Sequence, residues 1–347
     1  MIRTVLLLSC TAFAGVFTIT ALRAVSTEME DGTVVMELLE NVRVTDGEVT
    51  VTSDRATIYE TAQVAEFYDN VHVNHDSITA TGAYLSYSRP TGYLQIIGNA
   101  FLNDGESTLR ADRITWFRFM NKATALGAVV MTGEWLGEVT GEYALYDGER
   151  GSLFVTSEPE LRRIEGGDSL TITAQRLEFF LDDDRAEAQG DAVLRMPSRE
   201  FTALAEYLLY EGEDERLELI GTPEIEAPEG TMNGDWMEVL LKNGDLSSLR
   251  IEGNARGHLS RNDTTTVDFA SQRAFFGFVP GNETELDSLH LSGTATLNAV
   301  TTGVERSEAN TITAEDIILR FEAGEMERVT AWGTVRGTYS WSGDFRE

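Results

Sequence analysis

Apolar and polar residues alternate along most of the chain in short runs, and each run opens on a Gly or Asn. From Val42 the first steps, to Val71, Ala100 and Val129, are 29 residues each; a looser copy lies at 159–161, and later steps lengthen towards forty. A fixed period of this size is typical of stacked supersecondary units. The nine opening residues are Asn41, Asn70, Gly98, Gly127, Gly190, Gly221, Gly253, Gly293 and Gly333.

A second type of run lies between these phrases, opening on Thr-Ala or a related pair and ending on an aromatic residue. Examples are 78–87, 109–116 and 172–179. Both types alternate with a period of two and are separated by Gly, Asp and Asn turns such as 103–106. The chain past residue 33 is therefore predicted to be all-β, with no helix of note.

The alternation predicts two sheets that face one another across an apolar interior. Arg43, His72, Arg195 and Arg256 are expected outside, and small residues such as Ala100 and Gly257 are expected to leave width between the sheets. From the residues alone the interior is either an ordinary packed core or a binding groove. The inner positions are Val42, Val44, Val71, Val73, Ala100, Leu102, Val129, Met131, Ala192, Leu194, Ala255, Leu259, Ala295 and Leu297.

Unbroken repeats from Val42 to Tyr339 leave no linker at which 347 residues would divide. We therefore predict one elongated domain over 33–341, with a linker at 25–32 and a tail at 342–347. The only cysteine, Cys10, precedes this domain, so no disulfide framework is expected.

Residues 1–24 have the pattern of an export signal or an N-terminal membrane anchor. Arg3 precedes an apolar run of eighteen residues from Val5 to Leu22. Cleavage after Ala24 would place Leu22 where a small residue is preferred, which favours an uncleaved anchor over a cleaved signal peptide. Both alternatives remain open.

The formal net charge is −31. Such a surface repels nucleic acids and anionic headgroups, so a nucleic-acid partner is excluded. The acidity is also what adaptation to a saline habitat would produce.

Candidate catalytic and metal-binding groups are few. His72 and His75 are three apart on a predicted strand and so point to opposite faces, which prevents them from sharing one metal ion. The acidic triplet 182–184 lies where the period places a turn. No catalytic residue, metal site or cofactor is predicted.

The repeats resemble those of the OstA-like family, the periplasmic bridge proteins of lipopolysaccharide transport. Gly98–Leu102, a polar turn and Leu109–Trp116 carry the LptA-like resemblance, and the stretch from Tyr143 to Met196 is more similar to the membrane-anchored LptC type. The resemblance implies a jellyroll-like or solenoid-like trough of about nine repeats whose inner surface holds acyl chains.

The resemblance also implies a location and partners. We expect a non-enzymatic protein of the periplasm, anchored in the inner membrane or secreted across it, that binds lipopolysaccharide or a similar glycolipid. The alternative is a structural β-solenoid of the cell envelope that carries no lipid.

The ends of the array are expected to pair with other bridge proteins of the same fold. The first unit, at about 33–51, and the last, at about 329–339, are rich in β-formers and lack the proline that would block pairing. The predicted partner edge contains Val335, Gly337 and Tyr339.

Overall fold

The computed structural model describes residues 18–45, 47–133, 137–165, 168–228, 230–242, 245–262, 264–279, 282–302, 306–322 and 325–343. Within these ranges the regular elements are 26 β-strands and two 3-10 turns, Arg118–Met120 and Pro197–Arg199. All the strand registers are antiparallel. The predicted antiparallel all-β class is confirmed.

The first half of the chain contains strands β1 to β12. Their bounds are β1 Thr18–Thr20, β2 Arg23–Glu28, β3 Val34–Thr45, β4 Val49–Tyr59, β5 Val64–His75, β6 Ile78–Ser88, β7 Tyr93–Asn103, β8 Ser107–Phe117, β9 Lys122–Gly133, β10 Gly137–Asp147, β11 Ser152–Thr156 and β12 Glu160–Glu165.

The second half contains strands β13 to β26. Their bounds are β13 Asp168–Thr173, β14 Arg176–Phe180, β15 Arg185–Met196, β16 Phe201–Glu211, β17 Arg216–Ile220, β18 Glu224–Ala227, β19 Gly230–Asn233, β20 Trp236–Lys242, β21 Asp245–Asn262, β22 Thr265–Val279, β23 Asn282–Thr302, β24 Arg306–Glu322, β25 Glu325–Trp332 and β26 Arg336–Gly343.

The strands form two compact units. Unit 1 contains residues 1–163 and 175–182, and unit 2 contains residues 164–174 and 183–347. The single domain over 33–341 remains a prediction, and each unit is described by itself.

Eight of the nine repeated Gly or Asn phrases are corners, at which two successive residues have positive φ, and where the corner lies within one strand the register shifts. Such a bulge bends a strand, and Gly and Asn adopt positive φ at the lowest cost. The ninth phrase has a positive φ at Gly333 alone. The looser copy at 159–161 follows a corner of the same kind. The nine pairs in the described residues are Glu40/Asn41, Asp69/Asn70, Gly98/Asn99, Gly127/Ala128, Ser157/Glu158, Gly190/Asp191, Gly221/Thr222, Gly253/Asn254 and Gly293/Thr294.

Each corner divides a strand between two layers. In unit 1, residues 35–39 of β3 pair with 55–59 of β4, and residues 42–45 pair with 50–53 of the same partner. We call the half of β3 before the corner, together with the strand halves paired beside it, the first layer. The half of β3 after the corner, together with the strand halves paired beside it, is the second layer.

Unit 2 repeats this arrangement. Before its corner β15 pairs with 207–211 of β16, and after the corner it pairs with 201–205. On β22, Phe269 of the second layer and Phe276 of the first layer are both buried, with their ring centroids 5.7 Å apart. The two layers of this unit therefore face one another.

The hairpin turns at the ends of the long strands do not cross from one layer to the other. The short connections β17 to β18 and β19 to β20 do cross, beside the corners. The turn from β3 to β4 joins two second-layer halves, the turn from β4 to β5 joins two first-layer halves, and this order repeats along the described hairpins. Within the described residues of each unit the chain passes between layers at corners or beside them. The margin of each layer that lies away from the corners carries the turns between strands. We call this margin the rim.

Strands begin before the predicted first repeat. β1 pairs with 43–45 of β3, and β2 pairs with 34–39. The structure thus places strand residues within the segments assigned to the anchor and the linker, 1–24 and 25–32. Residues 1–17 lie outside the described residues, so the signal or anchor remains a prediction. No described segment forms a helix long and apolar enough to cross a bilayer.

Candidate lipid-binding groove

The fourteen predicted inner residues are all buried, each less than a tenth exposed. In unit 1 they lie on β3, β5, β7 and β9, and in unit 2 they lie on β15, β21 and β23. All belong to the second layer, because each follows the corner of its strand. The outward residues Arg43, His72, Arg195 and Arg256 are exposed, as the alternation predicts.

At seven of the nine corners, the first inner residue after the bend pairs with a small residue. Two strands that bend together leave little room for side chains at the bend. This lack of room explains why Ala recurs at the first inner position after a corner. The small residues mark the corner rather than a wide part of the interior. The pairs are Val42 with Ser53, Val71 with Gly82, Ala100 with Ala111, Val129 with Gly141, Ala192 with Ala205, Ala255 with Ser271 and Ala295 with Ala314.

The expectation that Gly257 leaves width is wrong. A Cβ atom placed on Gly257 would lie 2.3 Å from Cε1 of Phe269, so the aromatic ring occupies that space. Sequence reasoning assigned width to the glycine without placing the ring of the neighbouring strand above it.

The opposite wall of the interior comes from the first layer. The aromatic residues at or just past the ends of the second type of run were expected on this wall or at its rim; Tyr87, Trp116 and Phe179 are buried, whereas Tyr210 and Phe321 are partly exposed. Sequence reasoning missed the larger aliphatic part of this wall, although the same alternation precedes each corner. In unit 1 this part includes Leu38, Leu85, Leu94, Ile96, Ile114, Leu153, Val155 and Leu177, and the aromatic Phe67 lies among them.

Polar groups of the first layer lie on its outer face. The Glu66 carboxylate accepts hydrogen bonds from the hydroxyls of Tyr68 at 2.6 Å, Tyr84 at 2.8 Å and Tyr59 at 3.4 Å. Burial first, and then the Glu66 charge, raise the pKa of Tyr68 above its usual range. The pKa values of Tyr59 and Tyr84 are raised by burial and the same neighbour.

A second polar contact holds the rim turns of β9 and β10. Lys122 Nζ lies 2.9 Å from Asp147 Oδ2. The hydrogen bond from Lys122 lowers the pKa of Asp147. The charged groups of this unit therefore stabilise its outer face and rim, while its inner face is mainly apolar.

The histidines are not gathered into one cluster in the described part of the chain. His72 is exposed and His75 is buried, which confirms that they point to opposite faces. His258 Nδ1 lies 2.7 Å from Asp268 Oδ1 on an exposed face, and His290 Nε2 lies 3.4 Å from Asp316 Oδ1. Within the described residues no group of three or more potential ligands could hold a metal ion. The acidic triplet 182–184 lies in a turn, as predicted.

A shallow depression of about 230 Å³ lies on the first layer of unit 2. It combines guanidinium, imidazole and carboxylate groups around a partly exposed aromatic ring. Its lining residues are Arg250, Arg273, Ala274, Phe275, His290, Ser292 and Asp316.

Of the predicted partner edge, Gly337 and Tyr339 lie on β26, and Val335 immediately precedes this strand. This strand pairs with β24 and has no other register in the described part of the chain. Val335 is 50% exposed and Tyr339 is 54% exposed, while Gly337 lies opposite Ile312. An apolar strand at the margin of a sheet can accept a further strand.

These features define a class of antiparallel repeat protein in which the long strands bend at corners and serve two facing layers. Residues 17–154 match the sequence profile of the family described as OstA-like protein. The predicted resemblance to the OstA-like family is confirmed over these residues.

Two further comparisons, with solved structures and with curated proteins, were made for the whole chain. The chain resembles LptH, the LptA-homologous periplasmic component of the conserved lipopolysaccharide transport device from Pseudomonas aeruginosa, whose crystal structure is known. Identity is 13%, the match covers 47% of this chain and 75% of that chain, and the TM-score is 0.14. No curated protein is significantly similar in sequence.

Proposed function

We propose that this protein is a non-enzymatic, periplasmic component of a lipopolysaccharide-transport bridge and that it holds acyl chains between the two layers of its units. The observation that carries the proposal is the connectivity, because the layers of each unit are joined at corners while the rims carry only turns within one layer. A lipid chain can enter from the rim as the layers part, with no backbone connection in its way. The OstA-like match over 17–154 supports the same class of function.

The energetics favour an apolar cargo. Burial of a methylene contributes about 0.8 kcal/mol, so a chain of about a dozen carbons gains on the order of 10 kcal/mol when fully covered. The fourteen inner residues supply an apolar wall, and affinity does not require basic residues on a chain of net charge −31. Anionic headgroups would remain in solvent at the rim.

One observation favours a second function, that of a structural β-solenoid without cargo. All fourteen residues are already packed, and Ala255 and Ala295 are fully buried. If the layers do not part, this interior is a core and the protein interacts with partners through its edges.

Photocrosslinking separates the two functions. A photoreactive residue at Val73 or Leu102 faces the interior, and the same residue at His72, on the strand that carries Val73, faces outward as the matched control. With purified lipopolysaccharide we expect strong labelling from the two inner positions and weak labelling from the outer one. Equally weak labelling from all three, with folding retained, would support the structural solenoid.

The location of the chain along the bridge belongs to the same proposal. We propose that the N-terminus holds the chain at the inner membrane and that the edges of β26 and of β1 and β2 pair with other bridge proteins. In the described residues β1 and β2 pair only with β3, so both ends of the array offer an edge.

A further inference from the structure

The second-layer rim of unit 1 contains two buried titratable side chains on an otherwise apolar inner face. His75 is 7% exposed and ends the inward series Val71, Val73, His75 on β5. Asp104 is 5% exposed and continues the inward series Ala100, Leu102 just after β7. We call these two residues the rim pair.

The strand registers place the rim pair on either side of one residue. His75 lies opposite Ile78, and Asp104 follows Asn103, which lies opposite Thr79, the neighbour of Ile78. With strands about 4.8 Å apart, the two Cα atoms are separated by on the order of 10 Å. Ile78 is buried on the same face between them, so the rim pair flanks the Ile78 side chain.

Each member of the rim pair has a buried polar atom that lacks a hydrogen-bond partner among the described residues. These atoms are Nδ1 of His75 and Oδ2 of Asp104. Asp104 Oδ1 is already used, since it accepts hydrogen bonds from the backbone N–H groups of Glu106 at 3.0 Å and Ser107 at 2.7 Å. A buried polar atom without a partner is costly because it has lost its hydrogen bonds to water, and two at one rim point to a ligand that supplies the missing contacts.

We propose that the rim pair is a polar subsite for a hydroxyl group at the head of an acyl chain. A hydroxyl donates one hydrogen bond, to Asp104 Oδ2, and accepts one, from the Nδ1–H tautomer of His75. The acyl chain then continues along Val73 and Leu102 towards the corner. This inference rests on the proposed lipid-binding function and adds selectivity for hydroxylated amphiphiles over purely apolar ones.

The test compares two uncharged probes with the same chain. 1-Dodecanoylglycerol carries free hydroxyls, and its di-O-methyl ether has the same chain without hydroxyl donors. Their binding to the full-length protein is measured by displacement of a fluorescent fatty acid. We expect the hydroxylated probe to bind about tenfold more tightly, which is the effect of one or two added hydrogen bonds.

Three variants assign the preference to the rim pair. Asp104→Asn keeps an acceptor for the turn but replaces the free oxygen with a donor, and His75→Phe removes the imidazole while keeping a ring. His72→Phe, outward on the same strand, is the matched control. We expect the first two variants to bind both probes with affinities within about twofold of each other, and the control to retain the tenfold preference.

The outcomes distinguish this inference from the function on which it rests. If the parent binds both probes equally, or if both rim variants retain the preference, the polar subsite is wrong and the lipid-binding proposal stands. If the parent binds neither probe, the lipid-binding function itself is overturned and the subsite with it. Thermal unfolding of each variant shows whether it folds, and the parent comparison remains decisive if a variant does not.

Discussion

Gly82 at the second corner of unit 1 provides the sharpest test of the bent-strand geometry. A Cβ atom at Gly82 would lie 2.5 Å from Cγ2 of Ile96 and 3.2 Å from the carbonyl oxygen of Ile97. The first neighbour is a branched core side chain and the second is backbone, so neither moves at low cost. The Gly82→Ala variant therefore compresses the corner at which the two layers meet.

The expected cost can be worked out from these contacts. Overpacking of a close-packed core costs about 1–3 kcal/mol, and replacement of glycine recovers about 0.4–1 kcal/mol by restricting the unfolded chain. We expect the free energy of unfolding to fall by about 1–2 kcal/mol. For a unit of this size each kcal/mol corresponds to a fall of about 2–4 °C in Tm.

Urea unfolding followed by tryptophan fluorescence measures this cost, because Trp116 is buried in the same unit. Gly337→Ala is the matched control, since its nearest new contact, with the Thr311 oxygen, would be 3.9 Å away. In an Ile96→Ala background the Gly82→Ala cost should shrink by at least about 0.5 kcal/mol, because the clashing methyl is gone. A Gly82→Ala protein as stable as the parent, or a cost unchanged by Ile96→Ala, would refute the corner geometry.

Two other predictions concern the outer face and the edge. The raised pKa of Tyr68 means that its protonated form contributes stability below the unfolded pKa of about 10, and that this contribution is lost as the pH rises through the folded pKa. Absorbance titration should show late tyrosine ionisation that shifts to lower pH in Glu66→Gln, and an unshifted titration would contradict the role of the carboxylate. At the edge, adjacent N–H groups of β26 point to opposite sides, so one of Thr338→Pro and Tyr339→Pro should abolish crosslinking to a co-expressed OstA-like protein while the fold is retained. Edge pairing is wrong if both variants fold and crosslink as the parent does.

The sequence predicted the strands and their inner faces because alternation with a period of two is a local signal. Val42 and Leu297 are buried, as the alternation of apolar and polar residues around them in the sequence predicts. Corner geometry was not predicted, since a positive φ at Glu40, Ser157 or Thr294 is imposed by the pairing of a whole strand rather than by residue preference. The filling of Gly257 by Phe269 was missed for a related reason, because contacts across a strand pair depend on register.

The corner fixes where a strand bends, but it does not fix how far the strand continues after the bend and so how deep the interior is. After its corner β3 continues for four residues, Val42–Thr45, whereas β23 continues for eight, Ala295–Thr302. At about 3.4 Å per residue the second-layer half of the strand grows from about 14 to about 27 Å, while the bend keeps its pair of positive-φ residues. Insertions of two residues on the rim side of a corner therefore deepen a repeat without exchanging its inner and outer faces, whereas an insertion of one residue would turn the rest of that strand inside out.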